Sequence, residues 1–410
     1  MDDAFSSMVA MIARVGKILS LSNGQKELLL NAQNVLDFSF DVSLSKGLTV
    51  LQGCRVQANN ACGPFSGGVL FHPLLDISDM RAMAFWNTLS CAVANIPFGG
   101  ASGGVQIDLA LYSQTDVEKV SRAFMQTLGD AVGASTDVLC PGVNTTPKIM
   151  SWLLDEFEQQ HKRKEPGAVV GKPLEKVGSQ LSESALAQGG VFLLQELAPV
   201  LLIKKESTVA IQGFGNVGRV VAELLDKLHY KIVALSDGQG AIYNPEGLDV
   251  GLVVEHAKKT GSVHDFLGAR NMGSQELLAL PIGLLVFTGA DPQVTSQNVL
   301  LINAQVVLEL AQCVLSFEAD QALSERGIVV LPDILASAGG CIVSYLEWYQ
   351  NMHRQVWTQE RVSRELQTLI TQAIRAVSAV KEKHDCDYRT AASVLGIQRV
   401  LEAEAVREKK

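Results

Sequence analysis

The run Gly213-Phe214-Gly215-Asn216-Val217-Gly218 does most to limit what this chain can fold into. It directly follows the apolar segment Thr208 to Gln212 and opens the amphipathic stretch Arg219 to Leu228, so it reads as a strand, a tight turn and a helix. The first glycine permits the turn and the second lets backbone approach a pyrophosphate. The third lets the helix pack closely on the strand, with phosphate held at the helix N-terminus. A second strand, Lys231 to Ser236, ends at Asp237, 19 residues after Gly218, where a carboxylate can accept hydrogen bonds from an adenine ribose. Gly213, Gly215, Asn216, Val217, Gly218 and Asp237 are therefore the candidate dinucleotide-binding residues. A carboxylate at that place repels a 2′-phosphate, and no Arg or Lys follows in Gly238-Gln239-Gly240-Ala241, which favours NAD(H) over NADP(H). The plain alternative is a turn that binds nothing, and the surrounding strand–helix–strand pattern argues against it.

Around this motif the chain divides into three parts. At 410 residues it is too long for one core, and 47% apolar with 19% charged residues describes an ordinary globular protein of two domains. From about Leu29 to Val105, runs such as Val35 to Val42 and Leu48 to Val56 alternate in strand fashion between Gly and Asn turns, giving a strand-rich first domain. Helical spacing follows in Asp116 to Val132 and Lys148 to Gln160, separated by the loop Pro141-Gly142-Val143-Asn144, and the basic stretch His161 to Lys176 is a connector. From Leu186 to Leu331 strands and helices alternate, which predicts a parallel sheet covered by helices on both faces. After Gly339-Gly340 the chain turns helical again, in Glu360 to Lys383 and Tyr388 to Val406. The fold expected is α/β with two domains. Residues 1–180 form a mixed-sheet substrate and oligomerisation domain on which helices in 345–410 pack back, and 181–344 form a Rossmann-like, doubly wound nucleotide-binding domain.

A net charge of −9 leaves no basic field for nucleic acid. No apolar stretch is long enough to span a membrane, and the N-terminal residues lack a basic segment before an apolar core, so the expected location is cytoplasmic. The cysteines Cys54, Cys62, Cys91, Cys140, Cys313, Cys341 and Cys386 are odd in number and never spaced as C-x-x-C, so they read as buried thiols rather than a disulfide framework or a zinc ribbon. The histidines show no ligand spacing, and no metal site is expected.

Pro97-Phe98-Gly99-Gly100-Ala101-Ser102-Gly103-Gly104 contains a G-x-S-x-G pattern, the signature of a hydrolase nucleophile elbow. A competing explanation comes from resemblance. This segment, Gly53-Cys54-Arg55-Val56-Gln57, Gly67-Gly68, Phe71-His72-Pro73, Gly171-Lys172-Pro173-Leu174, Ile242 to Leu248, Ala338-Gly339-Gly340 and Val343-Ser344-Tyr345-Leu346-Glu347-Trp348 are similar, in order and spacing, to glutamate dehydrogenases. The resemblance implies an interdomain cleft, hydride transfer from an amino-acid Cα to a nicotinamide, and a hexamer.

It also implies where catalytic groups belong, and there this chain departs. A lysine that pairs with the substrate's side-chain carboxylate corresponds to Ser66, one that pairs with the α-carboxylate to Ser90, the lysine that activates water to Ser102, and the proton-transferring aspartate to Gly142. Ser344, which in the family touches the side-chain carboxylate, is kept. No lysine lies between Lys46 and Lys119 to substitute, and Arg55 and Arg81 are the only permanent cations in that span. Each lost charge-assisted bond forfeits about 1.5–3 kcal/mol and each lost acid or base about 10²–10⁴ in rate. The cofactor side is altered too. The family's Gly-Ser-x-Gly-Arg-x-x-Ala-Thr run reads Gly178 to Leu186, its Ala-Asn-Gly-Pro turn reads Ala311-Gln312-Cys313-Val314, and its Asn-Ala-Gly-Gly turn reads Ser337-Ala338-Gly339-Gly340.

The reading that follows is a glutamate dehydrogenase-like pseudoenzyme, a regulatory or structural subunit in a homo- or hetero-hexamer with a catalytic glutamate dehydrogenase subunit. It would bind NAD weakly or through the adenosine half, and a small amino-acid effector. Two alternatives stay open: an active NAD-dependent amino-acid dehydrogenase with an altered substrate, and an NAD or metabolite sensor.

Overall fold

The computed structural model describes residues 4–289, 294–407 and 409. They fall into two compact units. One comprises the described residues of Asp3–Glu183, Gly340–Leu369 and Ser393–Lys410, and the other those of Ser184–Gly339 and Ile370–Ala392. Part of the C-terminal helical region, 370–392, is thus grouped with the nucleotide-type unit and the remainder with the first unit.

The first unit is built on a five-stranded mixed sheet in the order β1-β2-β4-β3-β5, with β1 Asn34–Leu44, β2 Gly47–Asn59, β3 Phe65–Phe71, β4 Gly100–Val105 and β5 Asp137–Pro141. β1, β2 and β4 run antiparallel in sequence, and β3 lies parallel to both β4 and β5. Alternation along β1 sends Phe40, Val42 and Leu44 into a core shared with the helices Gln114–Leu128 and Pro147–His161. Val117, Val120, Phe124 and Leu128 supply the apolar stripe of the first of these helices, which Ser113 caps by accepting from the Asp116 amide. β2 is buried on both faces because its other side, Cys54 and Val56, packs with Met80 and Ala84 of the helix Ile77–Val93. That helix is missing from a strand-only reading of 29–105, and the helices Ala4–Ile18 and Asn23–Leu30 begin before that stretch. The residues of Ile77–Val93 are buried almost all round, which erases the helical periodicity by which that helix could be recognised.

The second unit carries a seven-stranded sheet in the order β12-β11-β10-β6-β7-β8-β9. The strands are β6 Thr208–Gln212, β7 Lys231–Asp237, β8 Gly240–Tyr243, β9 Arg270–Met272, β10 Ile282–Phe287, β11 Ala304–Glu309 and β12 Val329–Leu331. β6, β7, β10, β11 and β12 are parallel, and the unbroken apolar run of β10 is buried throughout, as an interior parallel strand requires. The all-parallel expectation needs correction at one edge. β8 runs antiparallel to β7, and β9 to β8. Only Gly238 and Gln239 separate β7 from β8, which suffices for a hairpin and is far too short for a parallel crossover.

Candidate functional site

Each unit holds one part of the chemistry suggested by the sequence. In the second, the chain leaves β6 through Gly213 and enters the helix Asn216–Lys227 at Gly215. β7 lies on one side of β6 and β10 on the other, so this turn sits where the strand order reverses, at the carboxyl ends of the strands. Gly213 has φ +96°, and a Cβ at Gly218 would lie 1.8 Å from the Gly213 carbonyl oxygen, so both positions need glycine. Gly215 is different. A Cβ there would meet nothing within 4 Å, which leaves open space above the turn for a phosphate group. Thr288, at the end of β10, donates to the Gly213 carbonyl at 2.6 Å and braces the turn from across the reversal point. Exposed Asn216 accepts from Arg219 of its own helix at 3.3 Å, and no side chain caps the first turn. These residues fit a pyrophosphate.

Asp237 has more to do than the sequence suggested. Its Oδ1 accepts from the Gln239 amide at 2.8 Å, and its Oδ2 accepts from the Ser262 hydroxyl at 2.8 Å and the Val263 amide at 2.6 Å. The carboxylate therefore ties β7 to the turn after the helix Val250–Thr260, with one lone-pair direction of about four left over.

In the first unit, the four candidate positions lie on different elements: Ser66 on β3, Ser90 on the helix Ile77–Val93, Ser102 on β4 and Gly142 just past β5. The three serines are buried, at 3%, 1% and 1% exposure. Ser66 Oγ lies 3.2 Å from Cys140 Sγ, and Ser344 hydrogen-bonds the same thiol, so both serines close on a neutral partner. Burial pushes the Cys140 thiol up to about 11, against the two serine hydrogen bonds, which removes it as a nucleophile at neutral pH. Ser102 Oγ faces the Met80 sulfur at 3.4 Å, and Ser90 Oγ is buried without a hydrogen-bond partner. At Gly142 a Cβ would come within 2.6 Å of the Val69 carbonyl oxygen. Arg55, on β2, is fully buried and committed. Its Nε and Nη2 donate to Asp137 at 2.9 and 2.6 Å, and Nη1 donates to the Gly68 carbonyl at 2.9 Å.

Ser102 sits within a strand and not at the apex of a strand–turn–helix, which rules out the nucleophile elbow. His72 Nδ1 accepts from the Leu74 amide at 3.2 Å, a turn-forming role. The expectation of buried thiols holds for Cys54, Cys91 and Cys140; Cys62, Cys313, Cys341 and Cys386 are partly buried, and none of the seven is in a disulfide. Among the described residues no group of three or more His, Cys, Asp or Glu could hold a metal ion, and no helix is long and apolar enough to cross a membrane.

Sequence reasoning missed a buried ion pair that shapes the cofactor-side segment. Lys172 Nζ donates to Glu347 Oε1 at 2.7 Å, both side chains being almost wholly buried. The other oxygen of Glu347 accepts from the Gly171 and Ser179 amides and the Ser182 hydroxyl, at 3.0, 3.2 and 3.1 Å. Val177 and Leu181 in the same segment hold left-handed φ values of +55° and +70°.

Comparison with known proteins places this geometry. The family described as Glutamate/Leucine/Phenylalanine/Valine dehydrogenase matches residues 178–407, and the Glu/Leu/Phe/Val dehydrogenase dimerisation domain matches residues 32–159. Glutamate dehydrogenase of Thermotoga maritima is 38% identical over 402 residues, 97% of each chain. The NADP-specific glutamate dehydrogenase A1 of Halobacterium salinarum is 36% identical over 403 residues, again 97% of each. Among solved structures, the hetero-hexameric glutamate dehydrogenase from Thermus thermophilus, in a leucine-bound form, superposes with a TM-score of 0.94 at 30% identity, covering 98% of this chain and 97% of that one.

Proposed function

The chain belongs to the Glu/Leu/Phe/Val dehydrogenase family, and we propose that within it this chain is an inert subunit that regulates or braces a catalytic glutamate dehydrogenase subunit. One observation carries the proposal. Ser66 and Ser102, which the resemblance puts with Ser90 and Gly142 at the family's lysine and aspartate positions, are buried against a thiol and a thioether, and Arg55 is consumed by Asp137. Such a site offers no charge to anchor two substrate carboxylates and no group to move a proton. Losses of this kind are not additive, yet removal of a whole catalytic unit leaves little beyond background.

The nucleotide turn keeps its shape, so binding of NAD(H) through its pyrophosphate and adenosine is part of the reading. Bound NAD would supply a hydride acceptor, for which this chain has no proton-transferring partner at Gly142. The altered run Gly178 to Leu186 and the turn at Gln312 support weak placement of the nicotinamide. The family's dimerisation domain and the hetero-hexameric Thermus relative support assembly with a catalytic subunit, and the leucine in that relative supports an amino-acid effector.

The test is co-expression with a catalytic glutamate dehydrogenase subunit, followed by co-purification and kinetics with and without added amino acids. A shift in the partner's kinetics by this chain is expected. A chain that turns over glutamate by itself, or that neither co-purifies with the partner nor alters it, defeats the proposal.

A further inference from the structure

The second unit buries a cluster that the nucleotide turn does not use. Arg389, at the start of the helix Tyr388–Arg407, is 8% exposed and gives each of its three nitrogens to a different carboxylate. Nε meets Asp320 Oδ1 at 2.9 Å, Nη1 meets Asp333 Oδ1 at 2.8 Å, and Nη2 meets Glu309 Oε2. Glu309 ends β11, Asp333 follows β12, and Asp320 lies on the helix Phe317–Glu325. The carboxylates pass this hold on to the turns at the strand ends. Glu309 Oε1 accepts from the Leu315 amide at 3.3 Å and its Oε2 from the Asp333 amide at 3.4 Å, and Asp333 Oδ2 accepts from the Cys313 amide at 3.1 Å. Residues 310–316, the turn containing Gln312 and Cys313, are thus held by groups that Arg389 collects.

Charge counting makes the arrangement conditional. One guanidinium faces three buried carboxylates, and isolated charge is costly in such surroundings, so one carboxyl has reason to keep a proton. We propose that Arg389 is a positioning residue for the turn 310–316, and that ionisation of its carboxylate cluster in mildly alkaline solution loosens that turn. Glu309 is the member that titrates. Burial, with Asp333 and Asp320 adding and Arg389 opposing, pushes its carboxyl up to about 8. Arg389 stays charged because the three carboxylates outweigh its own burial. The charged groups facing Glu309 are Arg389 from its helix and Asp320 and Asp333 from theirs. When Glu309 ionises, a second net negative charge appears in the cluster, and its repulsion of Asp333, whose Oδ2 holds the Cys313 amide, is what loosens the turn.

The experiment reads the turn directly, so its outcome is separate from whether nucleotide binds. Hydrogen exchange of 310–316, corrected for intrinsic pH dependence, is measured on the full chain at about pH 6.5 and about pH 9, with Glu309→Gln beside the wild type. Protection in the wild type is expected to fall about tenfold or more over that range, while Glu309→Gln, which cannot ionise, keeps nearly constant protection. Alkylation of Cys313, quantified by peptide mass spectrometry as the wild-type-to-variant ratio at each pH, provides a second readout, and the ratio should rise with pH. Unchanged wild-type protection, or parallel behaviour of the two proteins, overturns the proposal. Arg389→Lys, which keeps the charge and loses the three-way fork, should loosen the turn at both pH values.

Discussion

Arg55 and Asp137 form a doubly hydrogen-bonded ion pair with no exposure on either side chain, although β4 and β3 stand between their strands in sheet order. The guanidinium reaches across by donating to the carbonyls of Gly67 and Gly68 on β3, and Gln57 adds a donor to Asp137 at 2.8 Å. This pair replaces a free cation with a structural brace. It is why Arg55 cannot serve a substrate carboxylate.

Removing one partner should therefore be far worse than removing both. Asp137→Asn is expected to cost about 3–5 kcal/mol, since it leaves Arg55 buried without a counter-charge. The double variant Arg55→Met, Asp137→Leu should lose clearly less than the two single changes added together. Urea denaturation of the four proteins measures the cycle, and strict additivity would speak against the brace.

Val177 offers the opposite case, a change expected to stabilise. A β-branched residue at φ +55° is strained, by about 1–3 kcal/mol, and the side chain is 50% exposed, so little packing is lost with it. Val177→Gly relieves the strain at an unfolded-state entropy cost of about 0.4–1 kcal/mol. The expected net gain is about 1 kcal/mol, seen as a higher denaturation midpoint with an unchanged slope.

Catalysis should not return when the family residues are put back singly. Gly142→Asp places a Cβ 2.6 Å from the Val69 carbonyl, and Ser102→Lys inserts an ammonium beside the thioether of Met80. Both are expected to destabilise, by about 1–3 kcal/mol for the strained aspartate, without measurable glutamate oxidation or 2-oxoglutarate amination with either nicotinamide cofactor. Turnover near the enzyme median of about 10 per second, in these variants or in the unmodified chain, would show that a catalytic group exists elsewhere.

How much of this was legible in the sequence depends on the range of the interaction. The turn Gly213 to Gly218 was readable because its roles are local: φ at one glycine and close approach at another six residues or fewer away. That Ser66, Ser90 and Ser102 carry no charge is a matter of residue type and needs no fold. Ser66 meeting Cys140, Lys172 meeting Glu347 and Arg389 meeting three carboxylates were not, because each joins segments 50 to 180 residues apart that only the fold brings together. The helix Ile77–Val93 escaped for a different reason, being buried on nearly every side.

For the nucleotide site, calorimetry with ADP-ribose and NAD side by side is the informative comparison. Affinities within about threefold of each other are expected, because the pyrophosphate turn is intact while the segments at Leu186, Gln312 and Ser337 diverge. Asp237→Ser should weaken both ligands. It should also lower stability, since the Ser262, Val263 and Gln239 donors lose their acceptor. NAD binding more than about tenfold tighter than ADP-ribose would mean that the nicotinamide pocket works after all.

Assembly follows from the edge of the first sheet. β1 is an 11-residue strand at the end of the strand order, pairing only with β2, and the outward face of the hairpin presents Leu48 and Val50 at 73% and 60% exposure beside Ser39, Asp41 and Ser43. A long edge strand whose hairpin partner exposes apolar residues invites pairing with another chain, and natural proteins cover such edges or charge them. Two acidic residues, Asp37 and Asp41, are the charges on this strand, too few to keep it apart from a partner of matching shape. Light scattering should accordingly report an oligomer of hexamer type, alone or together with a catalytic subunit. Leu48→Lys with Val50→Lys should dissociate it while leaving the denaturation midpoint of the monomer nearly unchanged, because neither side chain contributes to the core. If those variants retain the full oligomer, the interface lies on another face; if the unmodified chain is a monomer both alone and beside a catalytic subunit, the edge is tolerated open and the regulatory reading loses its physical basis.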